Sequence, residues 1–512
     1  MTLKILFVHA DYYWSIGTLQ KEPNYAEGLA SMSAVLKQEG YEVSLYHKLA
    51  PENKENFTRR LQEEDADIIG FTSRTTYYPR LKEIAGWARE ACPSALIICG
   101  GYHATLVPED IMEIPAVDAV CIGEGEYPML ELCRRLEQGE DISSINNLWV
   151  RTPGGIAINP VSPLISDLDT LPVPDFDLFD YPNLKASDTN TALVMVSRGC
   201  PFSCTYCCNH RFRNLYPDKR NYSRFRSPER AIHYLKVLLD KHSFIEYINF
   251  MDNILGLDKE WLRRFAPLYK QEIGMPFSCR VRPNLVDQET VELLKDAGCF
   301  LAFQGIEAGN PEILNKVLRR GTTVEQIENS FNLLHQAGIQ TLGYNMVGLP
   351  YENLAKVLET VKLNARVKPR KRSVSSFYPY PGTELHRISK EEGFIAEDRQ
   401  YEDTVPLEQP GFPRKQVIFA QRYFDPFVLS FQLAEKLPGP LEKAADKALS
   451  GFFVTPYKPH GLLNKLALAR DFILYHAKKI VGKYFPTVYL FLRNRLSGYR
   501  MKKSQADSSS ES

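Results

Sequence analysis

The sequence carries no excess of charge of either sign: 62 Lys and Arg stand against 62 Asp and Glu in 512 residues. No global field recruits nucleic acid, and no basic, aromatic face marks the first half as a nucleic-acid binder. No run of about 18 apolar residues occurs, so no membrane-spanning helix is expected. Met1 to His9 enter a strand directly, without the pattern of a signal peptide. A secreted disulfide framework is also missing. Seven of the ten cysteines (Cys92, Cys99, Cys121, Cys133, Cys208, Cys279 and Cys299) are scattered, which fits a reducing, cytoplasmic compartment. With 44% hydrophobic and 24% charged residues, the composition is that of a globular chain of two or three domains.

What is present is a triplet. Cys200, Cys204 and Cys207 stand in Gly-Cys-Pro-Phe-Ser-Cys-Thr-Tyr-Cys. Three thiolates this close can hold a 4Fe–4S cluster by three of its four irons, leaving the fourth open to a substrate or cofactor. An electron-transfer ferredoxin uses four cysteines, and a structural zinc ribbon uses two separated pairs. Cys208 follows directly and reads as a packing residue, because adjacent residues rarely reach one cluster.

The first 140 residues alternate short apolar runs with amphipathic stretches. Strands are expected at 3–9, 42–46, 67–71, 95–99 and 119–122, with a helix at 25–39 and another from about 127. Runs buried on both faces and separated by helices predict a doubly wound, Rossmann-like parallel sheet over residues 1–145. Ligands in such sheets sit beyond the carboxyl ends of the strands. The loops there are Thr72-Ser73, Gly100-Gly101-Tyr102-His103 and Gly123-Glu124-Gly125-Glu126, read as ligand loops or as plain turns. A proline-rich linker with weak strand signals is expected over 146–190. A second βα series follows over 191–390, with strands at 192–197, 245–250, 277–281, 300–303, 341–346 and 373–377. Six units in about 190 residues predict a partial TIM-type barrel, since eight need roughly 250. The cysteine loop then falls at the carboxyl end of the first strand, where barrels place their reactive groups.

The region 391–503 reads as mainly helical. From Lys458 to Lys503 it holds eleven Lys or Arg and one acid, Asp471. This basic amphipathic segment either lies on an anionic membrane surface, at the inner face, or packs on the barrel with a solvated basic face. Residues 504–512 read as a disordered tail.

The Gly-Gly-x-His and Gly-Glu-Gly-Glu turns, the Leu171-Pro-Val-Pro-Asp175 linker, Gly305–Gly309, Met346–Pro350 and the cysteine triplet resemble radical S-adenosylmethionine (radical SAM) enzymes with an N-terminal cobalamin-binding domain. The group includes the anaerobic magnesium-protoporphyrin monomethyl ester cyclase and radical SAM methyltransferases. The resemblance covers residues 1 to about 390. It implies a 4Fe–4S cluster on Cys200, Cys204 and Cys207, S-adenosylmethionine on the open iron, and cobalamin against Thr72, Ser73, Gly100, Gly101, His103, Gly123, Glu124 and Gly125. The Asp-x-His-x-x-Gly of proteins with a histidine lower ligand is absent; His9-Ala-Asp11 stands there in the opposite order. Cobalamin without a histidine lower ligand is therefore expected, and loss of cobalamin is the alternative. The resemblance also sets Tyr206 against adenine through its carbonyl, Asp252 against the amino group, Arg282 against the carboxylate, and Glu307 as a further polar contact. Tyr378 and Tyr380, after the sixth strand, would face the substrate.

These features imply reductive cleavage of S-adenosylmethionine and hydrogen abstraction from carbon that no side-chain base can deprotonate. The leading expectation is methylation of an unactivated carbon in a small, hydrophobic molecule, fed by a donor such as flavodoxin or ferredoxin. Radical cyclisation or carbon–carbon bonding on a tetrapyrrole or lipid-like substrate is the alternative, and a non-catalytic cobalamin or cluster sensor is a third.

Overall fold

Strand β1 (Lys4–Ala10) is buried at six of its seven positions, as a parallel strand covered on both faces must be. In the computed structural model, which describes residues 2–15, 18–21, 23–395, 405–456 and 458–484, it lies second from one edge of a seven-stranded sheet. Parallel to it run β2 (Glu42–Lys48), β3 (Ile68–Thr72), β4 (Leu96–Gly100) and β5 (Ala119–Cys121), in the order β2-β1-β3-β4-β5. Helices α1 (Glu27–Gln38), α2 (Lys54–Glu64) and α3 (Tyr78–Ala91) connect the strands, and α4 (Glu126–Gln138) follows β5. Two antiparallel strands, β6 (Leu148–Thr152) and β7 (Gly155–Ile158), extend the sheet past β5. They come from the start of the stretch read as linker; the run Leu148-Trp149-Val150 is too short to announce a strand by itself.

The rest of that stretch is mortar rather than tether. Leu171, Phe176 and Tyr181 are buried. Phe176 stacks on Tyr234 at 5.6 Å and tilts against Tyr25 at 6.0 Å, and Tyr181 stacks on His242 at 4.4 Å. Asp175 accepts from Ser33 Oγ at 2.7 Å and pairs with Lys37 on α1. One apolar core therefore runs from the first sheet through the prolines into the second series.

That series forms an open, all-parallel sheet of six strands in sequence order: β8 (Thr191–Val194), β9 (Tyr247–Phe250), β10 (Phe277–Val281), β11 (Cys299–Glu307), β12 (Gln340–Val347) and β13 (Lys371–Ser376). Its helices are α5 (Pro228–Lys241), α6 (Lys259–Glu272), α7 (Gln288–Asp296), α8 (Val324–Gln336) and α9 (Leu354–Val367). Their starts are written locally. Ser227 caps α5 with Pro228 in the first turn, Thr323 and Gln326 form a capping box on α8, and Asn353 caps α9. Each such cap contributes about 1 kcal/mol.

Beyond the barrel, α10 (Arg414–Ala434) and α11 (Gly439–Val454) complete a compact unit that ends at Thr455. A second unit begins at Pro456 and contains α12 (His460–Tyr484), the described part of the basic segment. The remainder of that segment and the tail at 504–512 lie outside the described residues.

At the end of β12 the turn Gly348-Leu349-Pro350 closes on a buried acid. Glu352 Oε2 accepts from the amides of Gly348 at 2.7 Å and Leu349 at 3.1 Å, while Oε1 is buried without a partner. Burial pushes this carboxyl up to about 8. A carboxyl raised in the folded state stabilises fully below its unfolded value, near 4.5, and that contribution is lost as pH rises through 8. The loss is on the order of 5 kcal/mol. Glu352→Gln should therefore flatten the fall of melting temperature between pH 5 and 8; parallel curves for the two proteins would refute the assignment.

Candidate functional site

After β8 the chain makes a short antiparallel ribbon, Ser197–Arg198 on Arg224–Phe225, and enters the cysteine loop at Gly199. Gly199 has φ +88, and a Cβ there would stand 2.1 Å from the Tyr222 carbonyl oxygen, so only glycine fits. The loop is fastened from below by β9. Asp252 Oδ1 accepts from the amides of Val196 at 3.0 Å and Ser197 at 2.6 Å, and from the Ser197 hydroxyl. Asn253 donates to the Gly199 carbonyl at 3.1 Å. Thr205 donates through its amide to Leu318 and through Oγ1 to Val317. Asp252 is wholly buried, which pushes its carboxyl up to about 6, and Oδ2 has no partner. The sequence reading set Asp252 against the amino group of S-adenosylmethionine. Here its Oδ1 fastens the loop through two backbone amides and the Ser197 hydroxyl.

Cys204 is buried, whereas Cys200 and Cys207 are half-buried. Three thiols in one loop beyond the end of β8 are the donor set that holds a 4Fe–4S cluster by three of its irons. Arg282 reaches within 3.8 Å of the Cys204 sulfur, lies over the Phe202 ring at 3.6 Å and donates to the Arg320 carbonyl. Its guanidinium is thus beside the Cys204 thiol. Tyr206, Glu307 and Arg320 form a buried trio: the Tyr206 hydroxyl donates to Glu307 Oε1 at 3.2 Å and accepts from Arg320 at 3.1 Å. Glu307 has φ +61, uncommon for a side-chain-bearing residue, and burial raises its carboxyl. Cys208 is half-buried at the start of a short helix, Cys208–Arg213, rather than in the core. A hydrogen bond from its thiol, ahead of the Asn209 contacts, lowers the Cys207 thiol below the usual range.

The first sheet's loops divide into two kinds. Gly101, with φ +95, packs so tightly on Thr72 and Ser73 that a Cβ would meet Thr72 Oγ1 at 2.9 Å. Ser73 Oγ is buried without a partner. Tyr102, beside Gly100 and Gly101, is 60% exposed and meets Phe212 of the helix that follows the cysteines at 5.6 Å. His103 does not line this surface. It is buried against Thr75 (3.2 Å) and Asp110 (3.2 Å), and burial pushes it down to about 4. His9, also neutral at about 3 through burial, faces Asp11, His47 and Arg74. His9, Asp11 and His47 do gather within 4.8 Å, but Arg74 donates to Asp11 at 2.6 Å and already neutralises it.

Glu124 departs most from its expected place. Instead of opening toward a cofactor, it takes two bonds from Arg224 (2.9 and 3.1 Å), one from Arg198 (3.1 Å) and one from the Ile165 amide (3.0 Å). Glu126 receives the other arm of Arg198 and the Ser31 hydroxyl. Gly123 and Gly125 make this possible: at Gly123, φ +79, a Cβ would strike the Tyr216 hydroxyl at 2.4 Å. The turn grips the residue immediately before Gly199 and Cys200. Tyr378 and Tyr380, rings 5.0 Å apart, rise from the far side, where Gly382 approaches the Leu106 carbonyl. The loops beyond the carboxyl ends of both sheets thus meet, Tyr102 on Phe212 and Gly382 beside Leu106.

Models of two families match the chain: the radical SAM superfamily over residues 194–363 and the B12-binding domain over 23–133. A protein of Pyrococcus horikoshii, named as an uncharacterised methyltransferase, is 30% identical over 361 residues, covering 70% of this chain and 77% of its own length. The chain belongs to the radical SAM enzymes that carry a B12-binding domain. The anaerobic magnesium-protoporphyrin IX monomethyl ester cyclase of Rubrivivax gelatinosus is 26% identical over 420 residues, 80% of this chain and 74% of its length. In fold, the cobalamin-dependent radical enzyme OxsB, solved with aqua-cobalamin and S-adenosylmethionine, matches with a TM-score of 0.67 at 18% identity, over 97% of this chain and 75% of that one.

The cofactors of this radical SAM enzyme are a 4Fe–4S cluster, S-adenosylmethionine and cobalamin, and the residues present fit them. Three thiols stand at a barrel mouth, a guanidinium lies beside them, and an orphaned Ser73 hydroxyl sits under a glycine turn opposite. Sequence reasoning did not single out Arg198, Arg224, Arg320, Asn253 or Tyr216. Arg198 alone had a signal, its place beside Gly199-Cys200. Removing it strands Glu126 in the interior, which costs about 3–5 kcal/mol for a buried pair. Arg198→Met should lower the melting temperature by several degrees and Arg198→Lys by less; a melting temperature unchanged in both would show the grip to be dispensable.

Proposed function

We propose that the enzyme methylates an unactivated carbon of a small apolar molecule held between its two halves. The observation that carries this reading is the Tyr102–Phe212 contact, which turns the B12-binding loops and the cysteine loop toward the same gap. A methyl donor on one wall and a hydrogen abstractor on the other then meet one substrate. When bound, the cluster supplies an electron and cobalamin carries a methyl group. One S-adenosylmethionine gives its methyl group and leaves as S-adenosylhomocysteine. A second would be cleaved by one electron to methionine and the 5′-deoxyadenosyl radical, which takes the substrate hydrogen and leaves as 5′-deoxyadenosine. The chain's own residues supply placement. Asp252 and Asn253 hold the cysteine loop, Arg282 offers a cation for the methionine carboxylate, and Glu307 with Tyr206 offers acceptors for its amino group. Thr72, Ser73, Gly100 and Gly101 form the cobalamin wall, while Tyr102, Tyr378 and Tyr380 present apolar rings to the substrate and exclude water.

The enzyme acts in the reducing cytoplasm with an external one-electron donor of the flavodoxin or ferredoxin type. No described helix is long and apolar enough to cross a membrane. A peripheral contact through the basic segment is supported by α12, where Leu462, Leu466 and Ile473 are exposed beside Lys465.

The test is anaerobic turnover of the reconstituted chain with methyl-labelled S-adenosylmethionine and an extract of apolar metabolites. Label should enter a new product together with 5′-deoxyadenosine. Unlabelled product lacking hydrogens would instead establish cyclisation, and no reductant-dependent 5′-deoxyadenosine would favour a sensor. Cys204→Ala should abolish both cluster absorbance and 5′-deoxyadenosine.

A further inference from the structure

The pair α10 and α11 takes no part in the gap, yet it concentrates the apolar exposure of the first unit. Among that unit's described residues, every strongly exposed leucine falls between 429 and 441: Leu429 at 50%, Leu433 at 65%, Leu437 at 42% and Leu441 at 58%. These are not core residues left over from a poor fit. The inner face of α10 is already filled by Val417, Phe424, Val428 and Phe431, all buried. Leu429 and Leu433 are one turn apart on the opposite side, and Leu437 and Leu441 bracket the turn Pro438-Gly439-Pro440. Prolines suit an apolar contact there, because each removes one backbone donor that would need a partner.

Charge is sorted in the same direction. Three of the hairpin's four acids face the barrel and are used there: Asp425 pairs with Arg372, Glu435 with Lys368 at 3.0 Å and Asp446 with Lys362 at 2.8 Å, while Glu442 stands beside Leu441 without an ion pair among the described residues. Lys436, Lys443 and Lys447 are exposed and have no ion pair among the described residues. In a chain whose total charge is zero, three unpaired lysines against the single unpaired Glu442 leave a net positive tip around four leucines. A stable protein partner buries about 800 Å² on each side, more than four half-exposed leucines on a convex turn can offer. A lipid surface needs no such area. Apolar side chains enter the headgroup boundary while lysines meet anionic headgroups.

We propose that the α10–α11 hairpin is a membrane-docking tip, inserting Leu429, Leu433, Leu437 and Leu441 into an anionic bilayer surface. The attachment belongs to the body of the enzyme, is distinct from α12, and is independent of whether the reaction is methyl transfer.

Flotation of the full chain with phosphatidylcholine vesicles, with and without phosphatidylglycerol, tests it. The wild-type chain should float with the anionic vesicles. The triple variant Leu433→Gln, Leu437→Gln and Leu441→Gln should bind at least tenfold more weakly, with an unchanged melting temperature. Lys436→Gln, Lys443→Gln and Lys447→Gln together should remove the preference for anionic lipid. If the triple leucine variant misfolds, the single Leu433→Gln change, at the most exposed position, should still weaken binding severalfold. Equal flotation of folded variants and wild type would overturn the proposal and place any attachment elsewhere. So would a wild-type chain that does not float, or a dimer seen by light scattering that the leucine changes dissolve while flotation is unaffected.

Discussion

The relation between the two halves depends on one guanidinium. Arg198 stands directly before Gly199 and Cys200, and both of its arms end on the Gly-Glu-Gly-Glu turn of the other sheet. Any displacement of that turn therefore reaches Cys200 through two residues of backbone. The grip is ionic and largely buried, so its worth in stability is modest once desolvation is counted. What it provides is register. An apolar replacement of the same volume would let the loop slide, whereas two carboxylates in fixed directions, with Arg224 sharing one of them, define where the loop must lie. A reaction that needs two cofactors at one substrate carbon tolerates little slack, because rate falls steeply with misplacement on the scale of an ångström.

The same economy governs the carboxylates at the strand ends of the half-barrel. Barrels gather reactive groups there, so position alone makes each acid a candidate. Asp252 and Glu352 are both raised by burial, the former to about 6 and the latter to about 8, yet both spend an oxygen on backbone amides of the loop they adjoin. Glu307 differs. Its partners are a tyrosine hydroxyl and an arginine, so neither of its oxygens is spent on a backbone amide. A perturbed carboxyl thus marks either a fastener or a contact, and its hydrogen-bond partners decide which.

This explains what was legible beforehand. The parallel strands announced themselves because burial on both faces makes an apolar run such as Ile5-Leu6-Phe7-Val8, and the cysteine triplet is contiguous chemistry. Gly101 and Gly123 were visible as glycines, though not as close approaches to Ser73 and Tyr216. The partners of Glu124 and His103 were not legible. Arg224 lies a hundred residues from Glu124 in sequence, and nothing local says whether a polar residue after a strand turns to a ligand or to a neighbour. The prolines of residues 171–174 correctly excluded a helix, but helix propensity is silent about burial, so the segment's place in the core could come only from the fold.

That burial constrains how a substrate can enter. Tyr25, Phe176, Tyr181 and Tyr234 join the first sheet, the linker and the barrel helices in one aromatic core, and opening the halves about the linker would expose all of it to water. A hinge there is far costlier than movement at the rim. The rim offers a cheaper route. The Tyr378–Gly382 loop touches the opposite half near the Leu106 carbonyl, and Tyr380 and Tyr102 are already partly exposed. Displacing that loop uncovers two rings rather than a core. The buried linker and the Arg198 grip therefore keep the two cofactor walls at constant separation, and exchange of substrate with solvent falls to the aromatic rim between them.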